Sequence, residues 1–311
     1  MLLSSYRISP LLLLALLGFA DLRKITALPT PVGTVESQSH QETELERRST
    51  SISQKGPVLE DRASSVNWWV PTQKTTWQVQ LSGTIDRRFK GNAIEFDADT
   101  DAATVKYFKS KGIKTIAYIS AGSWENWRSD AKKFPKSVIG KPLDGWPGES
   151  WLDTRQINTL KPLMQARLNV AKAKGFDGVD WDNVDGYTQN SGFKITAAHQ
   201  IAYNRMLADI SHAQRMTVAL KNDLGQAAAL APYFDFAVNE QCGYYQECNL
   251  LEPFLKAGKA VVGLEYPGEG DDKRTYAQVK ARTDPRTYTL IKKLDLGAWG
   301  IVVSTKKSVL S

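Results

Sequence analysis

Phe176-Asp177-Gly178-Val179-Asp180-Trp181-Asp182-Asn183-Val184-Asp185-Gly186-Tyr187 holds a strand and the loop beyond it in twelve residues. The run Gly178 to Asp182 is short, β-branched and aromatic, ends in a carboxylate, and gives way to turn-forming residues. A strand's period of two puts Asp180 and Asp182 on the same side, with Asp182 nearer the end. Such a pair fits a parallel β/α barrel, whose strands aim side chains inward and converge on a mouth at their C-terminal ends. A buried Asp180 has to be hydrogen-bonded or protonated, so it reads as a support for Asp182. A calcium loop is the competing reading. It fails because Val184 occupies the fifth position counted from Asp180, and Ser191 stands where a bidentate Glu is needed.

Outward from this segment the chain alternates short β-branched runs with amphipathic stretches, the rhythm of parallel strands and crossover helices. Eight strands are expected: Thr76 to Leu81, Ala93 to Asp97, Thr115 to Ser120, Gly178 to Asp182, Thr217 to Lys221, Phe236 to Glu240, Ala260 to Glu265, and Ala298 to Val303. Leu160, Leu163, Met164, Leu168 and Ala171 share one helical face that ends at Gly175. Tyr203, Met206, Leu207 and Ile210 repeat the spacing behind a candidate N-cap, Thr196, and Asp101 opens a helix ending near Gly112. These stripes face the core. Only about ten residues separate the first two strands, barely enough for a crossover helix, and eight follow the last. The expected fold is therefore an α/β, TIM-like (β/α)8 barrel over residues 66–311 with an incomplete outer helical ring. The Trp68–Trp69 segment is expected to cover the gap.

Strand-end acids recur along the barrel. Asp97, Asp182, Glu240 and Glu265 close strands, Glu125 follows the third, and Lys221-Asn222-Asp223 ends the fifth. One such acid means little, because acids open loops and cap helices. Several converging on one mouth indicate a functional cluster, since unpaired carboxylates in close proximity repel. All nine tryptophans lie in the barrel portion. Trp124 and Trp146, in loops after the third strand, suit sugar rings, whose C–H faces stack on aromatic faces. Trp77 and Trp299, placed in strands, read as packing.

The N-terminus lies outside the barrel. Arg7 precedes an apolar run from Leu11 to Ala20 that ends in small residues, as a secretory signal peptide does. That run is too short to span a membrane. From Asp21 to about Ser65 the composition is polar and nearly free of aromatics, which predicts a disordered leader. Arg47-Arg48 reads equally as a processing site or as two solvated charges. The leader through Arg48 balances its acids and bases, so the remainder keeps the net charge of +7. The basic residues are scattered rather than striped, so no nucleic-acid partner is expected, and the expected assembly is a monomer. The only cysteines, Cys242 and Cys248, suit a disulfide in a secreted chain beside Glu240. No histidine has ligand spacing to them, and no metal or cofactor is expected. No nucleophile elbow, phosphate loop, dinucleotide fingerprint or zinc-protease motif occurs. Paired carboxylates, aromatics and secretion point to glycoside hydrolysis.

The sequence resembles glycoside hydrolase family 114, the endo-α-1,4-polygalactosaminidases. The resemblance runs from about Trp69 to Tyr266. It is carried by Trp69-x-Pro71, Thr76-Trp77-Gln78-x-Gln80-Leu81, Tyr118-Ile119-Ser120-Ala121-Gly122-Ser123-Trp124-Glu125, Trp151-Leu152-Asp153, Gly178-x-x-x-Asp182-Asn183-Val184-Asp185-Gly186-Tyr187, Leu220-Lys221-Asn222 and Asn239-Glu240-Gln241-Cys242. Trp181 departs from the pattern where a proline is expected. The resemblance implies a metal-free barrel that cuts galactosamine or N-acetylgalactosamine polymers internally, with catalytic acids matching Asp182 and Glu240. Asp97, Trp124, Glu125, Trp146, Asn183, Asp185, Tyr187, Lys221, Asn222 and Glu265 are then expected around the substrate. An acidic mouth would attract a deacetylated, ammonium-bearing polymer. The alternative is a family 18 chitinase, whose Asp-Gly-x-Asp-x-Asp segment matches residues 177–182. That family's next Glu is Val184 here, which would leave a chitin-binding lectin on the same barrel.

Overall fold

The computed structural model describes residues 66–310. The signal peptide, the 21–65 leader and the Arg47-Arg48 site lie outside the described residues. Thirteen strands occur among those described: β1 (Trp77–Val79), β2 (Ala93–Asp97), β3 (Lys114–Ser120), β4 (Ser123–Glu125), β5 (Ile139–Pro142), β6 (Glu149–Leu152), β7 (Gly178–Asp182), β8 (Thr217–Lys221), β9 (Phe236–Glu240), β10 (Ala260–Glu265), β11 (Tyr288–Ile291), β12 (Ile301–Val302) and β13 (Lys307–Ser308). Eight of them run parallel in the order β1-β2-β3-β7-β8-β9-β10-β11 and curl into a TIM-like barrel. Side chains and loop backbone, rather than a strand ladder, bridge its seam. Gln78 donates to Ala298 O at 2.8 Å and accepts from Lys292 Nζ at 3.2 Å, and Leu81 N–H reaches Leu296 O at 2.8 Å.

The helices follow the sequence pattern. Asp101 caps the 102–110 helix by accepting from Thr104 N–H. Thr196 opens the 197–213 helix in a capping box with His199. Gly175 ends the 157–174 helix at φ 103°, a left-handed conformation that glycine adopts without a Cβ penalty. Leu160, Met164, Leu168 and Ala171 are buried there. Outward-facing Phe96 of β2 packs on Phe108 and Phe176, at 5.9 and 5.2 Å between ring centroids. Burial of this kind stabilises by roughly 2 kcal/mol per large side chain. Among the described residues no helix stands between β1 and β2 and none follows β11, so the outer ring is incomplete at the seam. Among the described residues no helix is long and apolar enough to cross a membrane.

Three expectations need correction. The eighth parallel strand is Tyr288–Ile291, not Ala298 to Val303; Ile301–Val302 pairs antiparallel with it instead. Leu290 sits in parallel register beside Leu264, and this tertiary pairing decides between two runs of equal local propensity. Trp299 is accordingly outside any strand and 48% exposed. The Trp68–Trp69 segment does not cover the seam. Trp68 stacks on His212 and donates to Asp235, just before β9, while Trp69 packs against Trp77 at the start of β1. It therefore crosses the floor of the barrel, where Trp77 stacks on Phe236.

Candidate active site

The barrel interior grades from apolar to charged. Trp77 and Phe236 fill the floor, Glu95 and Asp180 lie buried above them, and Asp182, Lys221 and Glu240 reach the mouth. Register explains the grouping. Asp180 aligns with Tyr118 on β3 and Ala219 on β8, so Asp182 and Lys221, each two residues further, emerge together. Each of these strands then turns sharply. Asn183, Asn222 and Gln241, which follow Asp182, Lys221 and Glu240, have φ of 61°, 50° and 62°. Left-handed backbone is costly for non-glycine residues, and asparagine bears it best. A close approach also holds the end of β7. The N–H groups of Ala121 and Gly122 both bond to Asp182 O, and a Cβ on Gly122 would sit 1.5 Å from Asn183 O.

Lys221 Nζ lies 3.0 Å from Asp182 Oδ1 and 3.1 Å from Glu240 Oε2. Those two oxygens are thus no further apart than the two contacts laid end to end, about 6 Å. Tyr118 Oη donates to the other Asp182 oxygen at 2.6 Å, and Tyr266 Oη donates to Glu240 Oε1. Asn222 accepts from Glu240 N–H at 2.9 Å and fixes the strand end behind the carboxylate. Burial pushes the Asp182 carboxyl up, but the Lys221 ammonium, the Tyr118 hydroxyl and the Asn183 N–H outweigh it. The group lies below the usual carboxylate range. Lys221 is held well above the ordinary lysine value, because the carboxylates of Asp182, Glu240, Asp180 and Glu95 overcome its burial. The two acid side chains are 16% and 28% exposed, so substrate can reach them.

They open into a cleft of about 560 Å³. Its lining includes five acids (Asp144, Glu149, Asp182, Asp185, Glu240) against two lysines (Lys141, Lys221), with Trp146 and Tyr245 at 43% and 44% exposure. Of the expected site residues, Asp182, Glu240, Asn183, Asp185, Lys221, Asn222 and Trp146 line it. The others lie elsewhere. Arg128 grips Asp97 in two bonds of 2.7 and 2.8 Å and Glu125 in two of 2.8 and 2.9 Å, away from the cleft. Glu265 is fully buried, accepting from Gly243 N–H at 2.7 Å and from Arg274. It anchors the loop closed by Cys242 and Cys248, whose sulfurs are bonded. Trp124 is half-buried with Nε1 on Ala131 O. Tyr187 shares a hydrogen bond with Asp223 instead.

Sequence reading missed Tyr118, Glu149, Tyr245 and Tyr266. Period-two alternation along β3 would have found Tyr118, two residues before Ser120. Glu149 had no signal: β4, β5 and β6 form a separate antiparallel sheet, and only that sheet brings Glu149 to the cleft. Burial pushes its carboxyl up to about 7 against a bond from Ser123 Oγ.

Two expected results follow. Trp146→Ala should raise KM on polymer severalfold, whereas Trp124→Ala should lower Tm and leave KM alone, as steady-state kinetics and thermal unfolding would register. Replacing both cysteines by serine should cost about 2 kcal/mol in chemical unfolding, the loop-closure entropy of so short a ring. Unchanged stability would show that Glu265 and Arg274 hold the loop alone.

Comparison with known proteins agrees with the barrel fold. The model of the glycoside-hydrolase family GH114 matches residues 58–308. The chain is 35% identical to Ega3 of Aspergillus fumigatus, solved in complex with galactosamine, over 76% of this chain and 99% of that one, with a TM-score of 0.71. The glycoside hydrolase domain of PelA from Pseudomonas aeruginosa shares the fold at 13% identity, covering 73% of this chain and 98% of that one, with a TM-score of 0.57. No curated protein matches. The family 18 alternative lacks its last acid, since Val184 is a buried apolar side chain. The chain belongs to glycoside-hydrolase family GH114.

Proposed function

We propose that this glycoside hydrolase acts outside the cell and cuts internal α-1,4 linkages of galactosamine or N-acetylgalactosamine polymers with retention of configuration. Asp182 is the nucleophile and Glu240 the general acid/base. The observation that carries this reading is Lys221 Nζ, bound to both carboxylates at the mouth of the cleft. A limit of about 6 Å between the bound oxygens suits the ~5–5.5 Å carboxyl spacing of retaining enzymes better than the ~6.5–9.5 Å of inverting ones. Glu240 protonates the glycosidic oxygen as Asp182 attacks the anomeric carbon from the opposite face. Glu240, now ionised, takes a proton from the water that releases the sugar. The ion and hydrogen bonds that keep Asp182 charged suit a nucleophile.

The substrate rests on the similarity to Ega3, solved with galactosamine, and on the acidic cleft, which draws an ammonium-bearing chain to a basic protein. Secretion rests on the N-terminal leader. Purified protein incubated with partly deacetylated galactosaminogalactan should release a ladder of oligosaccharides, and none from chitin. The first products should carry the α configuration by NMR. First products in the β configuration would remove the covalent route, and an intact galactosamine polymer would remove the substrate assignment. N-terminal sequencing of exported material that begins at Met1 would refute the cleaved leader.

A further inference from the structure

Below the reacting pair lie two acids that the proposed mechanism leaves unused. Glu95 on β2 and Asp180 on β7 are 2% and 0% exposed. Both oxygens of Asp180, and Oε2 of Glu95, have no hydrogen-bond donor around them. The two side chains lie within hydrogen-bonding reach of each other; two ionised carboxylates without a donor cannot bond, and with one proton between them they can. The charged and titratable groups that face them are few. Tyr118 on β3 donates to Asp182, Lys221 on β8 is committed to Asp182 and Glu240, and Tyr266 beyond β10 donates to Glu240. Lys292 beyond β11 is bound to Gln78 and Gly297 O. None of these supplies the missing proton.

We propose that Glu95 and Asp180 share one proton and, carrying one negative charge between them, position the Lys221 ammonium beneath Asp182 and Glu240. Burial pushes both carboxyls up, each is raised further by acid neighbours, and the Lys221 charge pulls both back, as expected of a pair that titrates as a unit beside a cation. The pair touches no substrate. Its negative charge acts through Lys221 and on the reacting acids directly. It keeps the ammonium from over-stabilising the Asp182 carboxylate. The catalytic part rests on reading Asp182 and Glu240 as the reacting pair.

Amide variants separate charge from shape. Asp180→Asn and Glu95→Gln each leave one ionised carboxylate accepting from one amide, so the single negative charge survives. Either should keep kcat within about threefold and leave the pH profile in place. The double variant keeps the shape and an amide–amide hydrogen bond but loses the charge. The acid limb of its pH profile should move to lower pH by about one unit, and kcat should fall about tenfold with KM unchanged, because Lys221 then over-stabilises the Asp182 carboxylate. The infrared difference spectrum, wild type minus Asp180→Asn near neutral pH, should contain the C=O stretch of one protonated carboxyl; taking a difference cancels other buried acids such as Asp223. That arm needs no substrate, so it tests the shared proton even if Asp182 and Glu240 are misassigned, and it still decides if the double variant does not fold. A double variant with the wild-type profile, single variants as impaired as the double, or a difference spectrum without that band would each overturn the proposal.

Discussion

Asp182→Asn is expected to lower kcat on polymer by on the order of 10³-fold or more, about 4 kcal/mol of transition-state stabilisation, while the protein still folds and binds. The amide keeps the hydrogen bond from Tyr118 and the volume of the carboxyl, but it cannot attack an anomeric carbon. Glu240→Gln should cost a similar factor on polymer, because the departing sugar alkoxide then leaves unprotonated. The two losses have different characters. With a substrate whose leaving group needs no proton, Glu240→Gln should retain the first step and stall at the glycosyl-enzyme, whereas Asp182→Asn stays inactive. Small anions sharpen the contrast. In Asp182→Ala, azide filling the vacated space should attack the substrate directly and give the β-glycosyl azide. In Glu240→Ala it should attack the glycosyl-enzyme and give the α-glycosyl azide. Near-normal turnover in either amide variant would remove that residue from the mechanism, and swapped azide configurations would exchange their roles.

How far the sequence carried can be read from individual residues. β7 and β9 were legible because period-two alternation needs only local residues, and each run ends in an acid followed by a turn former. β11 was not, since Tyr288–Ile291 and the Ile301–Val302 region are both β-rich and only the register beside β10 separates them. The same limit applies to the acids. Asp97 and Glu125 look like mouth residues until Arg128, 31 residues beyond Asp97, reaches both. Glu265 closes its strand as Asp182 does, but register decides its direction. Leu264 lies beside Glu240 in the ladder, so the next residue faces the other way and meets Arg274. Position along a strand was readable; which partner neutralises the charge was not.

Lys221 provides the other large expected effect. Lys221→Met preserves length and burial but removes the ammonium bound by both Asp182 and Glu240. In the native protein that ammonium and the Tyr118 hydroxyl hold Asp182 below its ordinary range against the cost of burial. Asp182 therefore contributes stability that is present above its unfolded value and is lost as pH falls through the lower folded value. In Lys221→Met the burial cost is no longer offset, and the folded value rises above the unfolded one. The sign reverses: the protein is then most stable below the ordinary carboxylate range and loses stability as pH rises toward the new folded value. Catalysis moves the same way, because Asp182, as the proposed nucleophile, must be ionised. The acid limb of kcat/KM should shift to higher pH by at least about one unit, with kcat/KM on the acid side of that limb reduced about tenfold or more. Thermal unfolding across pH 4 to 8 measures the first change and a pH–rate profile the second. A variant whose acid limb stays in place would show that Tyr118 and the Asn183 N–H suffice to keep Asp182 charged, and Lys221 would then serve only to hold Glu240.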